Sequence, residues 1–420
     1  MTDVVIVGAG LAGLTCAQDL TRAGMECVVL DAADGAGGRV RTDRVDGYQL
    51  DRGFQILLTA YPQVEERLDL DALDLRRFEP GASIRRAGRF HRVADPLRRP
   101  GLLVTTATAP IGSLADKARL AALVVDVRRG TVPALLRRED LSTAERLRRI
   151  GFSDTMIEAF WRPLFSGIQL DPGLEVSRRR FDTILRMLAV GDTGLPRDGI
   201  GAVPDQMAAS LPPGAIRLSR RVEAVTPTQV TVEGGESITA RSVVVATDGP
   251  TAHRLLGTAV PDPGSRPVAC CWFATPGELR SGPVLLLDGD GVDGGPARNV
   301  SVITEVAPSY APAGRSLLAA AVPGTDALDP TLTDRVRTQL ARWFGSQTAD
   351  WDHLRTDVIP HGQPRQTPPF SPKRRVALGE GLFVCGDHRD TASLQGAMFS
   401  GERTAAAVLD HLAGVSASAS

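Results

Sequence analysis

Lysine is almost absent from this chain. Among its 48 cationic residues only Lys117 and Lys373 are lysines, and the others are arginines. Alongside abundant Ala, Gly and Val, that bias reads as GC-rich coding rather than as a binding surface. An excess of one charge is lacking too. The formal net charge is −1, so no global basic field draws in nucleic acid, and none is expected as a partner. Cysteine is scarce: Cys16, Cys27, Cys270, Cys271 and Cys385 form an odd set with no CxxC pair. That argues against a disulfide framework and against a zinc or other metal site, and it fits a reducing, cytoplasmic compartment. Long apolar runs are missing. The uncharged stretch Gly101–Ala115 has 15 residues and contains Pro110 and Gly112, short of the roughly 18–20 that a spanning helix needs. No basic segment precedes the apolar pattern that begins at Val4, so no signal peptide is expected.

What is present is ordinary for a globular protein: 43% hydrophobic and 23% charged residues in a chain of 420, long enough for two or three domains. The strongest local signal is at the start. Val4-Val5-Ile6-Val7 is a β-branched run suited to a strand buried on both faces. Gly8-Ala9-Gly10-Leu11-Ala12-Gly13 follows, then a helix with apolar Leu11, Leu14, Ala17 and Leu20, a stop at Gly24, and a second strand over Glu26–Leu30 that ends at Asp31. This is a βαβ unit. Residues 80–200 read as mostly helical, residues 216–247 as strands, and 266–322 as an antiparallel sheet. Residues 330–345 read as a helix, Pro360–Pro372 as a Pro-rich connection, Gly381–Asp387 as a last strand, and Gly396–Leu412 as a closing helix before a disordered tail.

A lone GxGxxG is weak, and the chain contains a second copy, Gly289–Gly294, which reads as a turn because no helix follows it. Val292 also stands where a calcium loop needs an oxygen ligand. The N-terminal copy has the right context. Gly8, Gly10 and Gly13 permit a tight turn and close approach of backbone N–H groups to a pyrophosphate at a helix N-terminus, with Ala12 in the first turn. Asp31 lies 18 positions after Gly13, where a carboxylate accepts hydrogen bonds from both adenosine ribose hydroxyls and repels a 2′-phosphate.

Gly37-Gly38-Arg39 follows Asp31 and Ala32. This extended pattern resembles the flavoprotein superfamily of amine oxidases, protoporphyrinogen oxidases and phytoene desaturases. Three further stretches resemble it as well: Leu50-Asp51-Arg52-Gly53-Phe54-Gln55, the strand beginning at Val222 with Ser242–Asp248, and Phe383–Ala407. The resemblance implies an α/β fold: a Rossmann-type FAD-binding domain with a parallel sheet, interrupted by a substrate domain of mixed or antiparallel sheet plus helices. The expected division is 1–80, 200–265 and 370–415 for FAD and 81–199 and 266–369 for substrate, with 416–420 as the tail. It also implies FAD contacts from the Gly-Gly-Arg turn, from Gly53, Phe54 and Gln55 beside the flavin, and from Val222 near the adenine. Gly386 and Asp387 are expected on the ribityl chain or pyrophosphate, and Leu394, Gln395 and Ala397 at the pyrimidine edge, where the closing helix dipole acts.

Departures from the family's amine oxidases narrow the substrate. No lysine stands between Lys117 and Lys373, Ser393 occupies the place of an aromatic, and no tyrosine follows Tyr310. No cysteine lies in 360–372, so FAD is expected to be non-covalent. Phe160–Gly167 and Gly199–Pro204 look like linker motifs of the desaturase side, whose substrates are large and apolar. The runs 101–115 and 120–125 are suited to lining a tunnel, and residues 97–138, with eight basic and two acidic residues, to touching a membrane surface. Gln55 and His388 are the candidate catalytic side chains. Arg389 and Asp390 are expected to pair, Met398, Phe399 and Cys385 to pack, and His361 has no assigned role. The expected activity is hydride transfer from an apolar, isoprenoid-like small molecule to the flavin. Other readings on the same scaffold are an atypical amine oxidase releasing peroxide, an isomerase or hydroxysqualene-dehydroxylase-like enzyme without net oxidation, and a lipid escort resembling the Rab GDP-dissociation inhibitors.

Overall fold

The computed structural model describes residues 2–94 and 98–418. Two sheets dominate it. The first is built around Thr2–Val7, whose Val4 and Ile6 are buried against residues such as Leu14 and Val408 and whose Val5 and Val7 are buried against Val222, Val230 and Val232. Cys27–Leu30 pairs parallel on one flank, Val4 beside Cys27 and Val7 beside Leu30. Ser237–Val245 pairs parallel on the other, Val7 beside Val245. Ile216–Arg217 and Leu382–Val384 extend this parallel core on its two sides. The early half of Ser237–Val245 turns outward as an antiparallel ladder with Gln229–Val232 and Val222–Val225, so parts of the chain more than 200 residues apart form one sheet.

The second sheet has seven strands. Ser265–Pro276 lies between Arg315–Pro323 and Asp352–Pro364, antiparallel to both. Asn299–Val302 and Leu285–Asp288 continue it, and Gly81–Arg86 joins parallel to Leu285–Asp288, with Arg89–Ala94 outermost. Helices Leu114–Arg129, Arg162–Gln169 and Arg178–Val190 pack near this edge around Trp161, Phe165 and Phe181. The rings of Phe165 and Phe181 stand 4.4 Å apart.

Three expectations are corrected. Residues 81–94 form a β-hairpin, not helix: Gly81–Arg86 pairs antiparallel with Arg89–Ala94, and its alternate residues Ala82 and Ile84 are buried on one face. The Pro-rich connection begins late, since the strand Asp352–Pro364 runs through its first residues. The closing helix spans Leu394–Ser418, so 415–418 are helical rather than tail; residues 419–420 lie outside the described residues, as does Leu97 of the basic segment. This helix lies tightly on the first helix, Leu11–Arg22. A Cβ on Gly401 would stand 2.3 Å from the Ala12 carbonyl oxygen, so only glycine allows the approach. Gly289–Gly294 is a short 3-10 turn, as read. All five cysteines are buried and free, and no helix among the described residues is long and apolar enough to cross a membrane.

Candidate active site

The carboxyl ends of the parallel strands open onto a cavity of about 1130 Å³ that continues between the two sheets. One end is made of backbone. Gly8 has φ +112°, and a Cβ there would meet the Ala246 carbonyl oxygen at 2.7 Å. A Cβ on Gly13 would sit 1.9 Å from the Gly8 carbonyl oxygen, so Gly13 serves helix–strand packing and does not line the cavity. Gly10 lines it, with nothing within 4 Å of where its Cβ would be. The first helix begins at Leu11 with no side-chain cap and no acidic residue in its first turn. Its leading N–H groups are therefore free for an anion, and space stands in front of them.

The Gly-Gly-Arg turn folds onto this site. The Gly37 amide donates to the Ala9 carbonyl at 2.8 Å, and Gly38, at φ +61°, lies against Gly10. The Asp31 carboxylate accepts from the Ala9 amide at 2.6 Å and from Ala33 at 2.8 Å. Both oxygens are thereby fixed, and Asp31 and Ala32 line the cavity. Arg39 crosses to the far end of the chain. It donates to the Gly362 carbonyl at 2.7 Å and pairs with Asp387 at 2.9 Å. Burial opposes the charge on both partners. Their mutual attraction outweighs it, holding Arg39 above and Asp387 below its usual range.

The second glycine turn sits under the long strand. Gly53 has φ +87°, and a Cβ there would stand 2.8 Å from the Ile359 methyl. Gly53, Phe54 and Gln55 all line the cavity. The Gln55 side-chain NH2 donates to the Arg39 and Arg52 carbonyls at 2.8 and 3.1 Å, so it welds the two glycine turns together. Behind the turn, buried Asp51 accepts from the Thr42 hydroxyl at 2.6 Å, the Ile200 amide at 3.0 Å and the Tyr310 hydroxyl at 3.1 Å. Burial pushes its carboxyl up to about 6.

Val222, Gly386, Asp387, Leu394 and Ala397 also line the cavity. Ser393 accepts from the Gly396 amide at 3.0 Å, so the residue standing in the place of an aromatic is the cap of the closing helix. Two expected site residues lie elsewhere. Gln395 points its carbonyl to the Gln63 amide, 2.8 Å away, outside the cavity wall. His388 is buried behind the wall, its ring packed where a Gly386 Cβ would collide at 2.6 Å. Burial lowers its pKa to about 4, so it is a neutral packing group rather than the acid or base expected. The pairing of Arg389 with Asp390 is also corrected. Arg389 donates to the Arg375 carbonyl, and the carboxylate of Asp390 faces Arg403 at 3.6 Å. Met398 and Cys385 are core residues as read, and Phe399 carries Lys373 over its ring. His361 bonds the Ser265 hydroxyl.

The other end of the cavity is apolar. Leu103, Ile111, Leu120, Val124, Met156 and Phe160 wall it, with more from Arg178–Val190. Two polar atoms in this wall have no partner among the described residues, the Trp161 indole N–H and the Asn299 side-chain carbonyl. Arg180 also lines the cavity, with no motif or spacing around it to mark it. Its neighbours Gln363 and Ala392 lie 183 and 212 residues away, so no local pattern marks it among neighbouring arginines. The residues present fit FAD: an uncapped helix start, a glycine facing empty space, a fixed carboxylate at the strand end and a paired Arg39–Asp387 bridge.

Comparison with known proteins agrees with this geometry. Residues 11–409 match the model of the family described as flavin containing amine oxidoreductase. The phytoene dehydrogenase of Streptomyces griseus is 29% identical over 296 residues, 60% of this chain and 56% of that protein. The chain spans about half the length of the curated relatives it matches over long stretches. Among solved structures, an oxidoreductase from Methanosarcina mazei superposes with a TM-score of 0.75 at 19% identity, covering 96% of this chain and 99% of that one. Cyclohexylamine oxidase from Brevibacterium oxydans superposes with a TM-score of 0.70 at 18% identity, covering 98% and 99%. These structural likenesses show a shared fold, and with the family match across nearly the whole sequence the chain belongs to the flavin containing amine oxidoreductase family, whose cofactor is FAD.

Proposed function

We propose that this protein dehydrogenates an apolar, isoprenoid-like small molecule on non-covalently bound FAD. The observation that carries the reading is the continuity of one cavity. Its glycine-lined end suits a dinucleotide, and its other end is walled by Leu103, Ile111, Leu120, Val124 and Phe160. Bound FAD supplies a hydride acceptor. The chain's own residues bind, orient and exclude water. The first helix and Gly10 receive the diphosphate, Asp31 the ribose, and the Arg39–Asp387 bridge closes the wall. Gln55 holds the two glycine turns in register, and the aliphatic wall keeps water from the reacting carbon. No cysteine lines the cavity, which supports non-covalent attachment. The division at 1–80, 200–265 and 370–415 against 81–199 and 266–369 is proposed with it, and matches where the two sheets draw their strands.

Peripheral contact with a lipid surface through residues 98–138 belongs to the same reading. Leu103 and Val125 are 53% and 39% exposed and also line the cavity, so an apolar substrate has an apolar doorway. The amine oxidase reading is less well supported, because the side chain in the place of an aromatic is the helix-capping Ser393. The test is anaerobic mixing of the FAD-loaded protein with polyenes and terpenoid precursors. The expected result is bleaching of the flavin absorption. Peroxide release on a panel of simple amines, with no bleaching by any apolar compound, overturns the proposal.

A further inference from the structure

Arg180 is 2% exposed, yet no carboxylate among the described residues lies within ion-pair distance of it. Its guanidinium donates to the Ala392 carbonyl at 2.6 Å and to the Gln363 side-chain carbonyl at 3.3 Å, both neutral acceptors. The adjacent arginines are provided for. Arg178 pairs with Asp182 at 3.2 Å, and Arg179 binds the Arg138 and Phe370 carbonyls. The acidic groups that influence Arg180 are Asp387 and Asp171. Each is committed to another arginine, Asp387 to Arg39 at 2.9 Å and Asp171 to Arg266 at 2.6 Å. Tyr61 and the like-charged Arg266 are the other groups that influence it. Burial lowers Arg180 only to about 10, so it is charged at neutral pH. A buried charge without a counter-ion is costly and persists where a ligand completes it. Arg180 lines the cavity with Tyr61, Gln363, Ser393 and Leu394, at the start of the closing helix, whose N-terminal dipole adds positive potential.

We propose that the substrate of this cavity is amphipathic, with an anionic head, a carboxylate, received by Arg180 and an apolar body in the aliphatic chamber. The proposal rests on the apolar reading above and sharpens it. A guanidinium offers a planar fork that two carboxylate oxygens match, and the neutral acceptors already holding Arg180 leave part of that fork for a ligand.

Decanoate and decanol are the probes, titrated into the FAD-loaded protein with the visible flavin spectrum and calorimetry as readouts. The native protein is expected to bind decanoate about tenfold or more tightly than decanol, the smallest gain a charged hydrogen bond provides. Arg180→Gln is expected to erase that preference while changing decanol affinity less than about twofold, and Arg180→Lys to keep part of it. Equal affinities for the two probes in the native protein overturn the proposal and leave the apolar reading standing. So does a preference that survives in Arg180→Gln. Failure of both probes to bind overturns the apolar reading and this proposal together. Loss of FAD from a folded Arg180→Gln protein, with the decanoate preference intact on reconstitution, assigns the charge to the cofactor and overturns the proposal. The comparison of probes on native protein stands whether or not a variant folds.

Discussion

The two ends of the cavity are built on opposite terms. At the cofactor end most of the work is done by backbone, and its central charged side chains are paired: Asp31 with two amides, Arg39 with Asp387, and, behind the second glycine turn, Asp51 with Thr42, Ile200 and Tyr310. At the chamber end the wall is mostly apolar, and two polar atoms in it have no partner among the described residues, Trp161 Nε1 and Asn299 Oδ1; where the two ends meet, at the start of the closing helix, Arg180 is held by neutral acceptors alone. One end is complete before its ligand arrives, and the other has vacancies in its hydrogen bonding. A site that binds the same molecule on every turnover can be pre-paired. A site that admits and releases substrate keeps its recognition groups open.

The contrast is sharpened most by Arg39→Met. It leaves Asp387 buried without its counter-charge, and stability should fall by about 2–3 kcal/mol. That is less than a fully buried pair would lose, because Arg39 is partly open to the cavity. Flavin content should drop with it. Denaturant titration and the flavin-to-protein absorbance ratio measure both, and full FAD occupancy in that variant would break the picture of a pre-paired cradle.

Asp51→Asn comes next. The folded-state pKa of Asp51, about 6, lies above the ordinary 3.8. Asp51 therefore favours folding fully only below about pH 4, and that contribution is lost as pH rises through 6. The variant has no such group. It should gain on the native protein by up to about 3 kcal/mol between pH 4 and pH 7. Melting temperatures of the two proteins across that range test this, and parallel curves would remove Asp51 from the account.

Leu120→Ala in the chamber should have the smallest effect. Leu120 is half-buried and faces the cavity, so its truncation should cost less than about 1.5 kcal/mol, below a fully buried leucine. FAD content should be unchanged while decanol binding weakens. Loss of FAD from this variant would show that the two ends are one coupled unit rather than two.

The same contrast explains what the sequence made legible. The cradle rests on glycines whose absence of Cβ is the signal, so Gly8, Gly10, Gly37, Gly38 and Gly53 could be placed in advance, as could the parallel strands around Thr2–Val7. The chamber is specified by burial, which many apolar runs satisfy. Arg180, where chamber and cradle meet, is defined by contacts with Gln363 and Ala392 that no spacing encodes. The hairpin 81–94 was hidden by its arginines, which fall on both faces, Arg86 and Arg89 on that of Ala82 and Ile84 and Arg85 and Arg92 on the other, and so mask the two-residue alternation. His388 and Gln395 stand in a motif whose neighbours line the cavity. Which way each side chain turns was decided by Gly386 and by the Gln63 amide, both outside local periodicity.

The bridge from Arg39 to Asp387 has a temporal consequence. The first helix, its glycines and Asp31 leave the ribosome well before Asp387 and the helix beginning at Leu394, which lie more than 300 positions further along the chain. The cradle cannot close before then, since its far wall does not yet exist. A complete cradle therefore has to wait for Asp387, and the βαβ unit waits with its strand edge unpaired until residues 237–245, and then 382–384, have been made.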